Sequence, residues 1–417
     1  MTRLLWTQKQ DFGPKPRAGH AMAFDDARGG VVLFGGDSFH PGLFADTWQW
    51  DGENWTQTAD MGPSPRADHA LAFDSERRQA ILFGGRGGAA TMGDTWSWDG
   101  ENWTQLADTG AAPRSRHAVA YDVNRKRIVL FGGRLADGRV TGDTWEWDGM
   151  DWTQVEDTGP AARAAHVMAY DSARGRTVLF GGEGVEQQIF GDTWEWTAQA
   201  WVQTAEFGAT ASSDAAMAFD GKGVALFGGV DSRIAAPGSQ VFGNTWEWDG
   251  KHWTGRQDMG PGPRWHHAMA YDSKRQRMVL HGGLSVFSAD ARDLTDRTLG
   301  DTWEHSETGL NASAAEVTIK DFTISPTSFA VGVHAHGTIT LTGPAPAGGA
   351  AVQLNSMVKG MNAYLINPPP PVVIPANGTS ATFDLRTSPI FFGNQTGPDV
   401  IRAMLGAVSK DVSIVIV

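Results

Sequence analysis

The 417-residue chain contains no cysteine. It can therefore form neither a disulfide nor a zinc site built on thiolates. It also lacks an apolar run as long as a membrane-spanning helix requires, so we expect no membrane insertion. Met1 leads almost directly into the first predicted strand, and no signal peptide is evident.

Basic residues are in deficit. The chain has 34 Lys and Arg against 47 Asp and Glu, which gives a formal net charge of -13. A chain with this charge is poorly suited to nucleic acid or to an anionic membrane as its main partner. Long amphipathic helices are also lacking, because no window shows a sustained period of 3.6 residues.

Glycine and tryptophan are abundant, and they recur at regular intervals. Six copies of one pattern contain R-x-x-H, an apolar run, L-F-G-G, D-T-W-x-W-D-G and W-T-Q, with some departures. A period of about 50 residues with glycine and tryptophan markers is typical of a propeller blade. Each copy divides into four short strands separated by turn residues, which predicts antiparallel sheets. The double glycines stand at Gly35-Gly36, Gly84-Gly85, Gly132-Gly133, Gly181-Gly182, Gly228-Gly229 and Gly282-Gly283.

These repeats resemble the kelch repeats of the galactose oxidase family. The resemblance implies an all-β fold with a six-bladed kelch-type β-propeller. It does not indicate the function, because kelch propellers host enzymes, lectins and adaptors. The copper-radical chemistry of galactose oxidase is excluded, since it requires a tyrosine cross-linked to a cysteine.

The two ends of the repeat region complement each other. Trp6-Thr7-Gln8 is the tail of a repeat without its head, whereas the sixth copy ends after Trp303 without a W-T-Q tail. Closing a propeller removes an exposed strand edge. We therefore expect a three-plus-one closure, in which the N-terminal strand completes the last blade.

The Arg and His of R-x-x-H and the Asp of D-T-W repeat together in five copies. The fifth copy departs at all three positions, with Ser212, Ala215 and Asn244. A buried carboxylate without its cation is costly, so joint loss predicts one structural Arg–His–Asp network in each of the other copies. The predicted members are Arg17, His20 and Asp46; Arg66, His69 and Asp94; Arg114, His117 and Asp143; Arg163, His166 and Asp192; and Arg264, His267 and Asp301.

The loops between the second and third strands of a blade (b–c) and between successive blades (d–a) share one face and vary between copies, so function is expected there. Arg86 and Arg134 follow double glycines in neighbouring copies and could hold a carboxylate together. The alternative is that Asp37 and Glu183, on the flanking copies, pair with them.

Aromatic and histidine residues of the same face are further binding candidates. Trp265, beside His266, lies outside the repeat frame and would suit stacking on a sugar or peptide, or else would pack against a loop. Phe39 and His40 are candidates of the same kind. His281 and His305 could supply two metal ligands, but altered packing at the closure is the favoured alternative, so no metal or cofactor is expected.

The composition changes near Glu316, where tryptophan ends and alternating Val, Thr and Ile begin. We expect domains at 1–309 and 310–417. The second domain resembles bacterial immunoglobulin-like modules of exported proteins, which implies a β-sandwich and a secreted or cell-surface location.

The expected function is a non-catalytic, monomeric binding scaffold that recognises a glycan or a protein through the b–c and d–a loops, with the sandwich as brace or spacer. The alternative is an enzyme acting on an acidic sugar at the channel mouth, similar to kelch sialic acid epimerases. In that case Arg86 and Arg134 would bind the carboxylate, and Glu183, Asp37 or His266 would move protons. No complete set of catalytic residues is evident.

Overall fold

The computed structural model describes residues 3–9, 13–38, 42–88, 90–231, 240–256, 260–285, 298–308, 318–329, 334–345, 350–356, 372–375, 378–386, 397–405 and 408–416. Apart from single residues at the N-terminus, the chain divides into two compact units, Arg3–Thr308 and Gly309–Val417. Phe39 and His40 lie outside the described residues. Within the described residues, no helix is both long and apolar enough to cross a membrane.

The described part of the first unit contains six antiparallel sheets. After β1 (Arg3–Gln8), the strands of five sheets follow in chain order. They are β2–β5 (Ala21–Asp25, Gly30–Phe34, Thr47–Trp50, Trp55–Ala59), β6–β9 (Ala70–Asp74, Gln79–Arg86, Thr91–Trp98, Trp103–Ala107), β10–β14 (Arg114–Ser115, Ala118–Asp122, Arg127–Leu135, Val140–Trp147, Trp152–Glu156), β15–β18 (Val167–Asp171, Arg176–Phe180, Thr193–Trp196, Trp201–Ala205) and β19–β22 (Ala216–Phe219, Val224–Phe227, Thr245–Trp248, Trp253–Arg256). The sixth sheet contains β23–β26 (Arg264–Trp265, Ala268–Asp272, Arg277–Ser285, Thr298–Thr308) together with β1.

Burial within a sheet follows the position of each strand. Every residue of β3 is buried, because a middle strand is covered by neighbouring sheets on both faces, whereas the middle of the outer strand β5 is exposed. The only helical element among the described residues is a 3₁₀ turn at Val185–Gln187. The unit is therefore all-β, as the short alternating runs predicted.

The N-terminal strand completes the sixth sheet. β1 runs antiparallel to β26, with Trp6 opposite His305 and Gln8 opposite Trp303. The free edge of β26 is thereby covered, which removes a site for strand-to-strand aggregation. The predicted three-plus-one closure is confirmed.

Tryptophan hydrogen bonds join each sheet to the preceding one. The first tryptophan of each W-T-Q segment, or its equivalent, donates its indole N–H to the threonine hydroxyl of a neighbouring D-T-W or N-T-W segment. The six bonds form a closed cycle, because each sheet donates one and accepts one. They are Trp55 to Thr302 (2.8 Å), Trp103 to Thr47 (2.8 Å), Trp152 to Thr95 (2.9 Å), Trp201 to Thr144 (2.8 Å), Trp253 to Thr193 (2.8 Å) and Trp6 to Thr245 (3.2 Å).

The double glycines lie in close contact with the neighbouring sheet. Gly84 has a φ of +67°, and a Cβ added there would lie 2.7 Å from the backbone oxygen of Arg114 in the next sheet. Only glycine satisfies both conditions without displacing backbone. The double-glycine motif is therefore required by the contact between sheets as well as by the backbone conformation.

The predicted Arg–Asp pairs are present in five sheets. In the second sheet, Arg66 donates to both oxygens of Asp94, at 2.7 and 2.8 Å, and to the backbone oxygen of Gly84 at 3.0 Å. Asp94 also accepts a bond from Trp96. Although burial would raise the pKa of Asp94, the hydrogen bonds from Arg66 and Trp96 hold it below its usual value. The equivalent pairs are Arg17–Asp46, Arg114–Asp143, Arg163–Asp192 and Arg264–Asp301.

The histidines of R-x-x-H do not join these pairs by hydrogen bonds, so this part of the predicted network is wrong. His69 instead packs edge-on against Phe34 of the preceding sheet, with ring centroids 5.5 Å apart. His20 makes the equivalent contact with His281, which replaces phenylalanine in the sixth sheet. The imidazoles therefore fill space between sheets.

In the described part of the second unit, two sheets surround one core. A three-stranded sheet contains β27 (Ile319–Ser325), β29 (His334–Leu341) and β32 (Ser380–Arg386). A five-stranded sheet contains β28 (Ser328–Phe329), β30 (Ala350–Ser356), β31 (Val372–Ile374), β33 (Gly397–Leu405) and β34 (Val408–Ile416). Phe322 and Ile339 of the first sheet share a buried cluster with Val352 and Ile401 of the second. Its immunoglobulin-like character stays a prediction.

Candidate functional site

Six residues, one from each repeat, form a hydrogen-bonded ring at the centre of the first unit. Each lies two residues before an innermost strand, and the innermost strands β2, β6, β11, β15, β19 and β24 contact one another in a cycle. The N–H of each residue donates to the carbonyl of the preceding one, at 2.7–2.9 Å, until the cycle closes. We name this set the axial ring: Gly19, Asp68, Arg116, Ala165, Asp214 and His266.

All six residues of the axial ring have left-handed backbone, with φ between 55° and 63°. Five of them are not glycine, and this conformation costs on the order of 1 kcal/mol for each such residue. The closed cycle of hydrogen bonds holds them there. The backbone conformation is thus the same in every repeat, whatever the side chain.

A cavity of about 130 Å³ lies at the axial ring. It is lined by the ring and by the residue that follows each ring member, which is a histidine in five repeats and Ala215 in the fifth. Because the ring precedes the innermost strands, this axial cavity lies on the side of the d–a and b–c loops. The structure therefore has a concave site on the face where the sequence predicted function.

The axial ring carries charged side chains that pair with one another. Arg116 donates to Asp214 and, at 2.7 Å, to Glu183. Nε2 of His266 lies 2.6 Å from the other oxygen of Asp214. Burial would raise the pKa of Asp214, but the charges of Arg116 and His266 lower it well below its usual value. Asp214 is therefore ionised and bridges two cationic or potentially cationic groups.

The residues after the double glycines lie next to the axial ring. Isolated bridges place Asp37 opposite Ala18, Arg86 opposite Ala67 and Glu183 opposite Ala164, each one residue before a ring member. The sequence expectation that these positions face the channel mouth is consistent with this register. Asp37 and Glu183 are buried, whereas Arg86 and Arg134 are partly exposed.

Arg86 and Arg134 are held by carboxylates of the protein itself. Arg86 pairs with Asp37 at 2.9 Å and with Asp68 of the axial ring at 2.6 Å. Arg134 pairs with Glu183 at 2.6 Å. Burial would raise the pKa of Asp68, but the charges of His266, Arg86 and Arg116 lower it. The structure thus shows the alternative in which Asp37 and Glu183 pair with the two arginines.

Trp265 is only 3% exposed, so the expectation of an exposed stacking residue is wrong. It packs with Ala18, Val230 and Leu284 in one apolar cluster, and its ring lies 4.7 Å from that of His266. Val230 and Leu284 follow the double glycines of the fifth and sixth repeats. The wall of the site is therefore charged on the first four repeats and apolar on the last two.

His281 and His305 lie on opposite faces of the sixth sheet. His281 pairs across the strands with Thr302, and His305 pairs with Met278, three residues further along. An odd separation along a strand places side chains on opposite faces. His281 hydrogen-bonds Thr302 at 3.0 Å, and His305 packs against Trp6. The described residues contain no group of three or more side chains suited to a metal ion.

Asp68, Arg116 and Asp214 were not among the site residues predicted from the sequence. A signal was available, because the third position of R-x-x-H reads Gly, Asp, Arg, Ala, Asp, His through the six copies while its neighbours repeat. A position that varies inside a repeated frame is free of the packing that fixes the frame. His266, the one axial residue that was considered, stood out only because it is beside Trp265.

Residues 1–182 match the family model described as the KLHDC2/KLHL20/DRC7 Kelch-repeats domain. Residues 1–182 of this chain are kelch repeats. A solved structure described as "Structure of YjhT" is similar to the chain, with a TM-score of 0.55 and 13% identity over 70% of this chain and 95% of that one. At this identity the similarity supports the fold alone, a kelch propeller. No curated protein matches the chain.

Proposed function

We propose that this kelch propeller is a binding protein whose ligand enters the axial cavity from the side of the b–c and d–a loops. The observation that carries the proposal is the axial ring. Its backbone is the same in all six repeats, while its side chains differ in size and charge. Structural roles repeat in this chain, as the Arg–Asp pairs do, so divergence at one position of a cavity is typical of recognition.

The chemistry of the cavity favours a hydroxyl-rich ligand, such as the terminal part of a glycan. Carboxylates of Asp68 and Asp214 accept hydrogen bonds, and the guanidinium of Arg116 donates them. The cavity, at about 130 Å³, is smaller than the roughly 300–1,000 Å³ of pockets for drug-sized molecules. A small polar end group fits this space, whereas recognition of a folded protein would need a larger surface.

The alternative, an enzyme for an acidic sugar, has less support. Its carboxylate clamp required Arg86 and Arg134, and both are engaged by protein carboxylates. A ligand carboxylate would have to replace them. The secreted location and the role of the second unit as brace or spacer stay predictions.

A filled cavity tests the proposal. Ala165→Leu adds bulk to the axial ring, and Ala198→Leu is its matched control. Ala198 also has left-handed backbone, with φ of 71° against 56° for Ala165, and lies in the β17–β18 turn on the other face of the same sheet. On a glycan array and in titration calorimetry, Ala165→Leu should lose the binding that the unaltered protein and Ala198→Leu keep.

Turnover assays on sialic and uronic acids run beside the array. Glycan binding that survives Ala165→Leu, with an unchanged melting temperature, would place recognition elsewhere and contradict the proposal. Turnover abolished by Arg86→Ala/Arg134→Ala would support the enzyme instead.

A further inference from the structure

Ring members three places apart face each other across the axis, because the axial ring has six positions. Asp68 therefore lies opposite Asp214, Arg116 opposite His266, and Gly19 opposite Ala165. The two small residues leave open one diameter of the ring. The two carboxylates lie on either side of the cavity, and both belong to residues that line it.

The charges around this cavity do not balance. Three guanidinium groups, those of Arg86, Arg116 and Arg134, meet four carboxylates, those of Asp37, Asp68, Glu183 and Asp214. Arg86 and Arg116 each contact two of the carboxylates. Among the described residues that line the cavity there is no lysine, and its basic side chains other than Arg116 are six histidines. The four carboxylates and three guanidinium groups alone sum to a net charge of -1.

The following inference deepens the proposed function and rests on it. We infer that the axial cavity selects a ligand bearing an ammonium group, such as an amino sugar, over its neutral and acidic counterparts. An ammonium between Asp68 and Asp214 neutralises the excess negative charge and gains charge-assisted hydrogen bonds. A carboxylate adds charge of the same sign and competes with four protein carboxylates for three guanidinium groups.

The guanidinium of Arg116 supplies a further indication that the cavity takes a polar group. Arg116 lines the cavity, and its Nε is buried without a hydrogen-bond partner. Buried polar groups in native proteins are normally satisfied by protein, water or ligand. Arg116 therefore has a hydrogen bond to offer that the protein leaves unused.

Three sugars that differ only at C6 test the inference. They are the methyl glycosides of 6-amino-6-deoxyhexose, the parent hexose and the uronic acid, in both the gluco and galacto series. Titration calorimetry of the full chain at neutral pH and fixed salt should give an affinity for the amine about fivefold or more above that for the neutral sugar. The uronide should bind most weakly, and raised salt should reduce the preference.

Asp68→Asn is the informative variant, because Arg86 keeps its other partner, Asp37. It should bring the amine-to-neutral ratio close to one, and this ratio is the readout whatever the change in affinity for the neutral sugar. The control Asp51→Asn, an exposed aspartate of the β4–β5 turn on the opposite face, should keep the ratio. A variant that fails to fold is recognised by its melting curve, and in that case lowering the ratio by salt in the unaltered protein provides the test.

The outcomes separate the two proposals. If sugars bind but the uronide is as tight as the amine, or the ratio is one, the charge inference is overturned and glycan binding stands. If none of the sugars binds, in either series, the glycan proposal and the inference both fail.

Discussion

Acid should unfold the propeller at a pH set by its buried histidines. His20, His69, His117, His166, His267 and His281 are each 0–6% exposed. Burial lowers the pKa of His69, His166, His267 and His281 to about 3, and that of His20 and His117 well below the usual value. In the unfolded chain a histidine takes up its proton near pH 6.5.

The sign of the effect follows from the lowered pKa values. Below pH 6.5 the histidines of the unfolded chain bind protons, whereas those of the folded chain bind them only near pH 3. Above pH 6.5 the histidines therefore do not lower the free energy of unfolding. This free energy falls as the pH drops from 6.5 towards 3. Each histidine removes about 1.4 kcal/mol per pH unit, so six remove about 8 kcal/mol per unit. Against a typical stability of about 5–15 kcal/mol, unfolding is expected between about pH 4.7 and 6.

Tryptophan fluorescence measures this transition in the first unit alone, because all 18 tryptophans precede residue 304. The free energy of unfolding is obtained from urea titrations at several pH values. His166→Gln should reduce its slope against pH by about 1.4 kcal/mol per unit. His252→Gln, an exposed histidine in the β21–β22 turn, is the control and should leave the slope unchanged. A free energy independent of pH between 7 and 5, or equal slopes for both variants, would refute the reasoning.

Three further predictions concern stability, each measured by urea unfolding or gel filtration. Arg66→Ser should lower the free energy of unfolding by about 3–5 kcal/mol, because it leaves half-buried Asp94 without its cation. Arg66→Ser/Asp94→Asn, the combination found in the fifth repeat, should lower it by less. Equal losses for the two variants would contradict the pairing argument. Gly110→Ala should lower the free energy of unfolding by about 1–3 kcal/mol more than Gly42→Ala. Both glycines have φ near +115°, but only at Gly110 would a Cβ lie 2.6 Å from Trp152. Equal losses would show that Trp152 moves aside. Deletion of residues 1–8 should expose the edge of β26 and produce aggregates, so a monomeric, fully folded product would contradict the closure.

The repeat pattern was sufficient for the kelch fold and the closure because these depend on residues that recur. Gly84 and Trp103 have the same neighbours in every copy, so periodicity identifies their role. Trp6 and Trp303 could be joined from the sequence because each lacks what the other end supplies.

The site could not be predicted to the same depth. Left-handed backbone at Arg116 and Ala165 follows from hydrogen bonds between successive repeats, and neither residue type indicates it. Burial of Trp265 likewise depends on Val230 and Leu284, which come from two different loops.

The axial ring has a practical consequence for engineering. Its geometry is fixed by main-chain hydrogen bonds, so the six side chains can be varied together although their codons are spread over some 250 residues. A library randomised at those codons, without the β-branched residues that left-handed backbone disfavours, would vary the lining of the cavity while leaving the surrounding sheets alone. New specificities should then be obtainable by selection from a single scaffold, without redesigning any loop.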